Sequence, residues 1–350
     1  MDASGHERGS VRSPRRVTIA DVAERAGLSK TSVSLILNDR PGSRLSADAV
    51  ERVHAAVAEL GYRPDPAARS LRLGTTRTIG FLSDEVTVTR FASAMIRGVL
   101  DAAEHREHTV LIAETGRDPR KTAPALDAML DRRADGVIVG LMGAKQIDVP
   151  PVAGDVRVVL LNASSPSGEP AILPDEEEAG RAIARQLLDA GHRRIALIGD
   201  SPAAATNPRV SVTVGARFAG LDAAFAEAGV RLMERVLVEP WEPAGGFDAM
   251  RRLLQGPELP TGVVCLNDRL AFGAYQALQE GGLRIPEDVS VVSFDDDEIA
   301  SYLRPGLTTA RIPYEEMGRQ AVDLLLGGGE GRRLVPMPIV VRGSVAPPRS

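Results

Sequence analysis

Three side chains between residues 30 and 34 have the hydrogen-bonding groups needed to recognise the edges of nucleic-acid bases. Lys30 can donate to guanine or to a phosphate, and Thr31 and Ser34 can each donate or accept. Apolar residues are interleaved with them at helical spacing, so these polar side chains and Leu35 would share the outward face of a short helix. The inward face of that helix would consist of Val33, Ile36 and Leu37.

Two further helices are predicted around this one. Thr18 is a suitable N-cap for the first helix, Gly27 suits its C-terminal end, and Ser29 can cap the second helix. A third helix is expected after Ser46. Three short helices with a glycine turn are typical of the helix-turn-helix motif, whose second helix enters the major groove of DNA. A small helical bundle with a merely solvated polar face fits the same spacing. The apolar residues at helical spacing are Ile19, Val22, Ala23 and Ala26 in the first helix and Val50, Val53, Val57 and Leu60 in the third.

The stretch "VTIADVAERAGLSKTSVSLILN", followed by "LGYRPDPAARSLR", closely resembles the DNA-binding head of the lactose-repressor (LacI/GalR) family of bacterial transcription regulators. The resemblance implies that Lys30, Thr31 and Leu35 face the operator bases. Many members of that family have an arginine at the position of Leu35, where an apolar side chain would instead touch a thymine methyl group. The residues implied to form the DNA-binding surface are Thr18, Ser29, Lys30, Thr31, Ser34, Leu35, Asn38, Tyr62, Ala68, Arg69 and Leu71.

The segment "PDPAARSLRLG" predicts a short conditional helix. Asp65 followed by Pro66 is a good helix start, and Gly74 would end the helix after about two turns, too short to persist alone in water. A flexible linker is the alternative. The resemblance implies a hinge helix that folds on operator DNA, with Leu71 wedged between base pairs in the minor groove, where apolar wedges kink the duplex. Members of the family usually carry asparagine where this chain has Asp65.

From Arg77 onward, short apolar runs alternate with longer helical patterns. Two successive blocks of this kind predict two doubly wound subdomains, each built on a parallel sheet. The predicted strands are 78–82, 109–113, 136–140 and 157–161 in the first block and 194–199, 235–239, 262–266 and 289–294 in the second.

Polar side chains stand at the ends of several predicted strands. Ligands of such sheets bind beyond the carboxyl ends of the strands, so these side chains point to a polar pocket in the cleft between the two blocks. Each of them could also be an ordinary helix cap. They are Ser83, Asp84 and Glu85 after the first strand, Asp175 after "AILP", Asn267 and Asp268 after "GVVCL", and Asp295 after "VVSF".

The same part of the chain resembles the effector-binding core of the lactose-repressor family, which is similar to periplasmic sugar-binding proteins. The matching motifs include "RTIGFLSDE", "GHRRIALIG", "NDRLAFGAYQAL" and "LRPGLTTARIPYEEMGRQAVDLLL". The resemblance implies that Asp175, Arg217, Asn267 and Asp295 bind the effector and that Phe91 lines the pocket. Trp241, the only tryptophan, would either stack on a sugar ring or belong to the core. With the strand-end residues, the candidate effector site is Ser83, Asp84, Phe91, Asp175, Arg217, Trp241, Asn267 and Asp295. No cofactor is expected.

Composition limits the class of protein. A chain of 350 residues predicts two or three domains, and its single cysteine excludes an internal disulfide framework and a cysteine-based structural zinc site. Residues 1–76 carry 12 basic and 9 acidic side chains, whereas the whole chain has a net charge of −5, so only the head is expected to meet a polyanion. No signal peptide and no run of about 18 apolar residues is found, so a cytoplasmic protein without membrane contact is expected.

The predicted architecture is an all-α helix-turn-helix head followed by a periplasmic-binding-protein-like α/β core of two doubly wound parallel-sheet subdomains. The predicted function is a sequence-specific transcriptional regulator, a repressor, controlled by a small effector. We favour a sugar, with a purine or another small polar metabolite left open. The predicted segments are a disordered basic tail (1–16), a DNA-binding domain (17–62), a hinge (63–76) and a core (77–345), with a first subdomain of 77–174 and 305–332 and a second of 175–304 and 333–345.

The resemblance implies dimerisation through the core, and without a heptad-rich tail we expect a homodimer. Such a dimer would bind a pseudo-palindromic operator in the major groove and in the central minor groove. An enzyme is the first alternative, but the chain has neither GxGxxG after the first strand nor GxxxxGK[ST], and no metal site is expected. A stand-alone solute-binding protein is the second alternative, and the helix-turn-helix pattern argues against it.

Overall fold

The computed structural model describes residues 17–37, 45–63, 74–85, 87, 91–116, 118–152, 154 and 156–349. The chain separates into two compact units, Met1–Thr76 and Arg77–Ser350, called here the head and the core unit. The predicted tail (1–16), Asn38, and most of the predicted hinge, including Asp65, Ala68, Arg69 and Leu71, lie outside the described residues.

The head contains the three predicted helices. Thr18 and Asp21 cap the first helix reciprocally: the Thr18 hydroxyl accepts from the Asp21 N–H, and the Asp21 carboxylate accepts from the Thr18 N–H at 2.7 Å. Gly27 ends that helix with a φ of 66°, a left-handed conformation that suits glycine. The helices are α1 (Ile19–Ala26), α2 (Lys30–Leu37) and α3 (Ala47–Leu60).

The apolar faces of α1, α2 and α3 close on one small core. Val22, Val33 and Val53, one from each helix, are fully buried. Arg52 of α3 also donates to the carbonyl oxygen of Ala26 at 3.2 Å, which satisfies a backbone acceptor at the end of α1. The amphipathic pattern therefore fixes the packing of the three helices and leaves the first turn of α2 at the surface.

The core unit begins with a six-stranded sheet, the first sheet. Its strands run parallel in the order β11-β5-β4-β3-β1-β2. The near-continuous apolar sequences of its central strands are typical of parallel sheets covered on both faces. The strands are β1 (Thr78–Ser83), β2 (Thr109–Glu114), β3 (Gly136–Gln146), β4 (Arg157–Ser164), β5 (Ala171–Pro174) and β11 (Arg332–Val335); the helices of this half are α4 (Phe91–His105), α5 (Thr122–Asp131) and α12 (Tyr314–Gly327), with a 3₁₀ turn at Pro119–Lys121.

The second sheet also has six strands, in the order β12-β10-β9-β8-β6-β7. All neighbours are parallel except β12, which is antiparallel to β10. Its strands are β6 (Ile195–Asp200), β7 (Arg235–Leu237), β8 (Gly262–Cys265), β9 (Ser290–Asp295), β10 (Thr308–Arg311) and β12 (Ile339–Val340). Its helices are α6 (Glu176–Asp189), α7 (Pro202–Thr206), α8 (Val214–Glu227), α9 (Pro243–Leu254), α10 (Asp268–Glu280) and α11 (Glu298–Tyr302).

The chain passes between the two sheets three times: after β5, after β10 and after β11. The second and third crossovers therefore lie later in the chain than the boundaries predicted at about residues 305 and 333. Thr308–Arg311 pairs with β9 in the second sheet, and Arg332–Val335 pairs with β5 in the first. These strands are short, and the sequence of β11 is dominated by exposed side chains, so neither gives the buried apolar run by which strands are recognised.

Helices α6 and α8 lie side by side on the second sheet, and their backbones approach each other very closely. A Cβ atom at Gly180 of α6 would lie only 2.3 Å from the carbonyl oxygen of Arg217 of α8. Only a glycine tolerates this approach. The first turn of α6 is thereby brought against the side chain of Arg217.

Within the described ranges, no helix is long and apolar enough to cross a membrane. The described residues also contain no group of three histidine, cysteine or acidic side chains arranged to hold a metal ion.

Candidate functional site

The first turn of α2 forms the candidate nucleic-acid surface of the head. Ser29 caps this helix, since its hydroxyl accepts from the Ser32 N–H at 3.1 Å. The side chains of Lys30 and Thr31 follow at once and are exposed. Ser34 and Leu35, one turn later, are partly buried. This end of α2 presents a cation and a hydroxyl together, which is the chemistry of base-edge recognition.

The other predicted head residues have mainly structural positions in this unit. Thr18 is the N-cap of α1, and Tyr62 packs against the helical core. Backbone N–H groups at a capped helix end can also face a phosphate, so a cap does not exclude contact with DNA.

The core unit contains a cavity of about 380 Å³ between its two sheets, lined by polar and apolar side chains. Its walls come from both subdomains, because they include residues of β3 and β4 on one side and of α8 and β9 on the other. Pro174 and Ile312, which lie at two of the three crossovers, also line it. The lining residues are Met142, Gly143, Ala144, Asn162, Pro174, Glu176, Ser201, Ala204, Val210, Ser211, Thr213, Val214, Arg217, Glu239, Trp241, Asp295, Ile312 and Tyr314.

Arg217 and Glu176 form a buried ion pair in the wall of this cavity. The Arg217 Nε donates to one carboxylate oxygen of Glu176 and Nη2 donates to the other, both at 2.7 Å. Arg217 Nη1 donates to the Leu266 carbonyl oxygen, and the guanidinium lies 4.3 Å above the ring of Phe294. Burial opposes the charge of Arg217, but Glu176 and Asp295 outweigh it and raise the pKa of Arg217 above its ordinary value.

Asp295 enters the cavity at the end of β9 with an unusual backbone. Its φ is 101°, outside the range that non-glycine residues normally adopt, and the next residue, Asp296, has a φ of 55°. The Asp296 carboxylate holds Arg311 and Arg342 at 2.7 Å each, which anchors the turn. Burial raises the pKa of Asp295 to about 6, against the opposing effect of Arg217, which lies 3.8 Å away.

Trp241 belongs both to the core of the second subdomain and to the cavity lining. Asn267 supports it, because the Asn267 amide donates to the Trp241 carbonyl oxygen at 3.3 Å. Asn267 itself is the N-cap of α10, accepting from the Leu270 N–H at 2.8 Å, and does not line the cavity.

Of the predicted effector residues, Arg217, Trp241 and Asp295 line the cavity, whereas the other five do not belong to its lining. Asp84 accepts from the Met142 N–H at 3.1 Å and from Lys145 Nζ at 3.2 Å, so it braces β3. Phe91 packs against Tyr314, with ring centroids 5.7 Å apart.

Asp175 caps α6 by accepting from the Glu178 N–H at 3.3 Å. Ser83 is buried within the core unit, and its hydroxyl has no hydrogen-bond partner among the described residues. Several of the predicted residues therefore contact residues of the lining and do not line the cavity themselves.

Several cavity residues were not predicted. Ser201 directly follows β6, and Asn162 directly follows the predicted strand 157–161 although β4 itself continues to Ser164, so both were open to selection as polar residues at strand ends. Glu176 was hidden in the acidic run "DEEE", which is also typical of the first turn of a helix. Tyr314 lies in the motif "LRPGLTTARIPYEEMGRQAVDLLL" and Glu239 ends the predicted strand 235–239, but neither was selected as a site residue.

Two family models match the chain. The model described as "Bacterial regulatory proteins, lacI family" matches residues 18–65, and the model described as "Periplasmic binding protein-like domain" matches residues 184–347. The first range contains the capped helix α2 with Lys30 and Thr31. The second range contains Arg217, Trp241 and Asp295.

Known proteins are similar to this chain over most of its length, including both of these ranges. The ribose operon repressor of Escherichia coli (strain K12) is 34% identical over 314 residues, which cover 88% of this chain and 92% of that protein. The lac repressor dimer bound to operator and the anti-inducer ONPF has a TM-score of 0.75 at 27% identity, covering 95% of this chain and all of that one. A LacI family transcriptional regulator from Enterococcus faecium with bound ribose has a TM-score of 0.59 at 27% identity, covering 77% and 99%. The chain therefore belongs to the lacI family of bacterial regulatory proteins and is a transcriptional regulator that binds operator DNA and a small-molecule effector.

Proposed function

We propose that this regulator is a repressor whose effector is a small carbohydrate, bound in the cavity between the two sheets. The observation that carries the proposal is the joint presence of Arg217, Asp295 and Trp241 in one cavity of about 380 Å³. That volume lies near the lower end of the range of roughly 300–1,000 Å³ typical of small-molecule sites. It suits one or two sugar rings.

The polar groups of the cavity match the chemistry of sugar hydroxyls. A hydroxyl group both donates and accepts a hydrogen bond, and the cavity offers acceptors in Asp295 and Glu239 together with amide and hydroxyl groups in Asn162 and Thr213. Trp241 adds a flat apolar surface, which suits the C–H face of a sugar ring. The names of two similar proteins support the same class, since one is a ribose operon repressor and another was solved with bound ribose.

The position of the cavity supports control of DNA binding by the effector. Its walls come from both subdomains, which are joined by the crossovers near Pro174 and Ile312. A ligand that contacts both walls stabilises one relative arrangement of the subdomains over others, and only such differential binding can shift a conformational equilibrium. We propose that this shift is transmitted to the hinge.

We further propose how the regulator holds its operator. Two chains form a homodimer and place two α2 helices on a pseudo-palindromic site, where Lys30 and Thr31 contact bases in the major groove. The hinge helices, with Leu71, then enter the central minor groove and kink it. The protein would act in the cytoplasm, on the nucleoid.

Trp241 provides the experiment that tests the effector class. Because it is the only tryptophan of the chain and lines the cavity, its fluorescence reports on ligand binding there. A panel of neutral sugars, sugar phosphates and nucleobases is titrated into the full chain while operator binding is followed by electrophoretic mobility. We expect a neutral sugar to change the emission saturably and to change operator affinity over the same concentration range. A nucleobase that does both, with all sugars inert, would replace the carbohydrate proposal.

A further inference from the structure

We propose that Glu176 sets the charge selectivity of the effector cavity: by engaging Arg217, it makes the cavity accept uncharged ligands and exclude phosphorylated or carboxylate-bearing ones. The inference rests on the proposed function, because it narrows the class of ligand taken by the same cavity. It follows from the hydrogen bonds of Arg217, from the charges on the cavity walls and from their burial.

A free arginine is the side chain best suited to hold an anion. Its guanidinium presents five donors in a fork that matches a carboxylate or phosphate group. In this chain the Nε and Nη2 edge of the fork is taken by Glu176, with both hydrogen bonds at 2.7 Å. Nη1 donates to the Leu266 carbonyl oxygen, and Asp295 lies 3.8 Å from Nη2. The Nε–Nη2 edge, one of the two edges of the guanidinium that can hold an anion with two hydrogen bonds, is therefore occupied by the protein itself.

The charges around the cavity also disfavour an anionic ligand. Among the described residues that line the cavity, Glu176, Glu239 and Asp295 contribute three carboxyl groups, and Arg217 contributes the single basic group. The Arg217 and Glu176 side chains are only 4% and 2% exposed, so water screens their charges weakly. An anionic ligand would face these carboxylates, and no described residue of the lining would offer it a free cation, whereas a neutral sugar would meet hydrogen-bond acceptors at no such cost.

Holding α6 against α8 is a second role that this ion pair could have. The two helices are already interlocked at Gly180 and Gly220, where each backbone lies against the other. Packing therefore does not require a charged residue at position 176. A role in selectivity makes a distinct prediction, because removing the charge of Glu176 would release the fork of Arg217 toward the ligand.

The test uses the full chain and two kinds of probe. Binding of D-ribose and D-ribose 5-phosphate, and of D-glucose and D-glucose 6-phosphate, is measured by titration calorimetry and Trp241 fluorescence at constant ionic strength. Inorganic phosphate is the second probe and requires no knowledge of the sugar. For the wild-type chain we expect no cavity binding of phosphate, and affinity for a sugar phosphate at least about tenfold below that for its neutral partner.

Glu176→Gln is the informative variant, because it removes the charge and keeps the size of the side chain. We expect it to bind phosphate and sugar phosphates at least about tenfold more tightly than wild type. Adding Arg217→Met to this variant should abolish the gain. Glu239→Gln is the matched control: it removes a carboxylate from the same cavity, but one that accepts from Ser201 and not from Arg217. Glu239→Gln should increase the affinity for phosphate and sugar phosphates much less than Glu176→Gln does.

Three results would overturn the proposal. The first is equal affinity of the wild-type cavity for a sugar and for its phosphate. The second is an unchanged affinity for anions in a folded Glu176→Gln variant. The third is a gain in anion affinity in Glu239→Gln that equals the gain in Glu176→Gln. If Glu176→Gln does not fold, equal affinities of the wild-type chain for a sugar and for its phosphate would still overturn the proposal. Failure of the carbohydrate proposal looks different, since no neutral sugar would then bind, while the inorganic phosphate measurements would still report on Glu176.

Discussion

Gly220 of α8 lies so close to Glu177 of α6 that a Cβ atom at residue 220 would stand 1.9 Å from the Glu177 carbonyl oxygen. One residue N-terminal to Glu177 is Glu176, and one turn N-terminal to Gly220 is Arg217. The backbone contact thus lies next to the ion pair in the cavity wall. Small residues between two helices determine where the charged residues of the site stand.

Gly220→Ala should therefore damage both stability and effector binding. The added methyl group must push α8 away from α6, and such overpacking typically lowers the free energy of unfolding by about 1–3 kcal/mol. Thermal unfolding and Trp241 fluorescence measure the two effects. Gly327→Ala is the control, since a Cβ atom there has no neighbour within 4 Å. Equal behaviour of the two variants would show that the close approach is unimportant.

Effector affinity should fall as the pH falls through about 6. Burial raises the pKa of Asp295 to about 6, so its carboxylate becomes protonated in this range and can no longer accept two hydroxyl hydrogen bonds as an anion. If the ionised form binds the effector, affinity near pH 5 should be about tenfold lower than near pH 7. Titration calorimetry over this range measures it. Asp295→Asn should bind the effector more weakly than wild type near pH 7, and its affinity should no longer depend on pH in this range. If the variant kept the wild-type pH profile, a group other than Asp295 would be responsible for the pH dependence.

Trp241→Ala should weaken effector binding about tenfold, because it removes the large flat apolar surface of the cavity. Trp241→Phe should recover part of the loss, since a smaller ring retains some of that surface. Calorimetry is the measurement, because these variants lack the fluorescent reporter. If Trp241→Ala bound the effector as wild type does, Trp241 would serve only the core of the second subdomain.

Lys30→Ala should weaken operator binding by about 1–3 kcal/mol and leave effector binding unchanged. The side chain is exposed at the start of α2, where it can reach a base or a phosphate. Arg25→Ala removes the same charge from the head, but Arg25 is at the end of α1 and paired with Glu59, so we expect a smaller loss. Fluorescence anisotropy with labelled operator, repeated at several salt concentrations, compares the two. Similar losses in both variants would indicate a general effect of net charge.

The sequence predicted the features that depend on local periodicity and caps. The helix-turn-helix is one: Thr18, Gly27 and Ser29 carry out the capping roles expected from their positions. The eight predicted strands are also present, because the strands of parallel sheets have nearly continuous apolar sequences. The expected fold of a helical head and a core of two parallel-type sheets is confirmed.

The features that were missed depend on contacts between distant residues. Strands β10, β11 and β12 are two to four residues long, and they gain their stability from neighbours in the sheet and not from their own pattern. The pairing of Glu176 with Arg217 joins residues 41 positions apart, and it needs the glycine contact between α6 and α8. Both Asp295 and Asp175 follow a predicted strand. The sequence pattern could not distinguish Asp295, which lines the cavity, from Asp175, which caps α6.

The central claim is that a sugar in this cavity controls operator binding, and one measurement tests it directly. Operator affinity of the wild-type chain and of Asp295→Ala is measured by anisotropy with and without the neutral sugar selected by Trp241 fluorescence. We expect the sugar to change wild-type operator affinity at least about fivefold, the lower end of ordinary allosteric coupling. We also expect Asp295→Ala to bind the operator normally without the sugar but no longer to respond to it. Unchanged operator affinity at saturating sugar, or an undiminished response in a variant that no longer binds the sugar, would show that the cavity does not control operator binding.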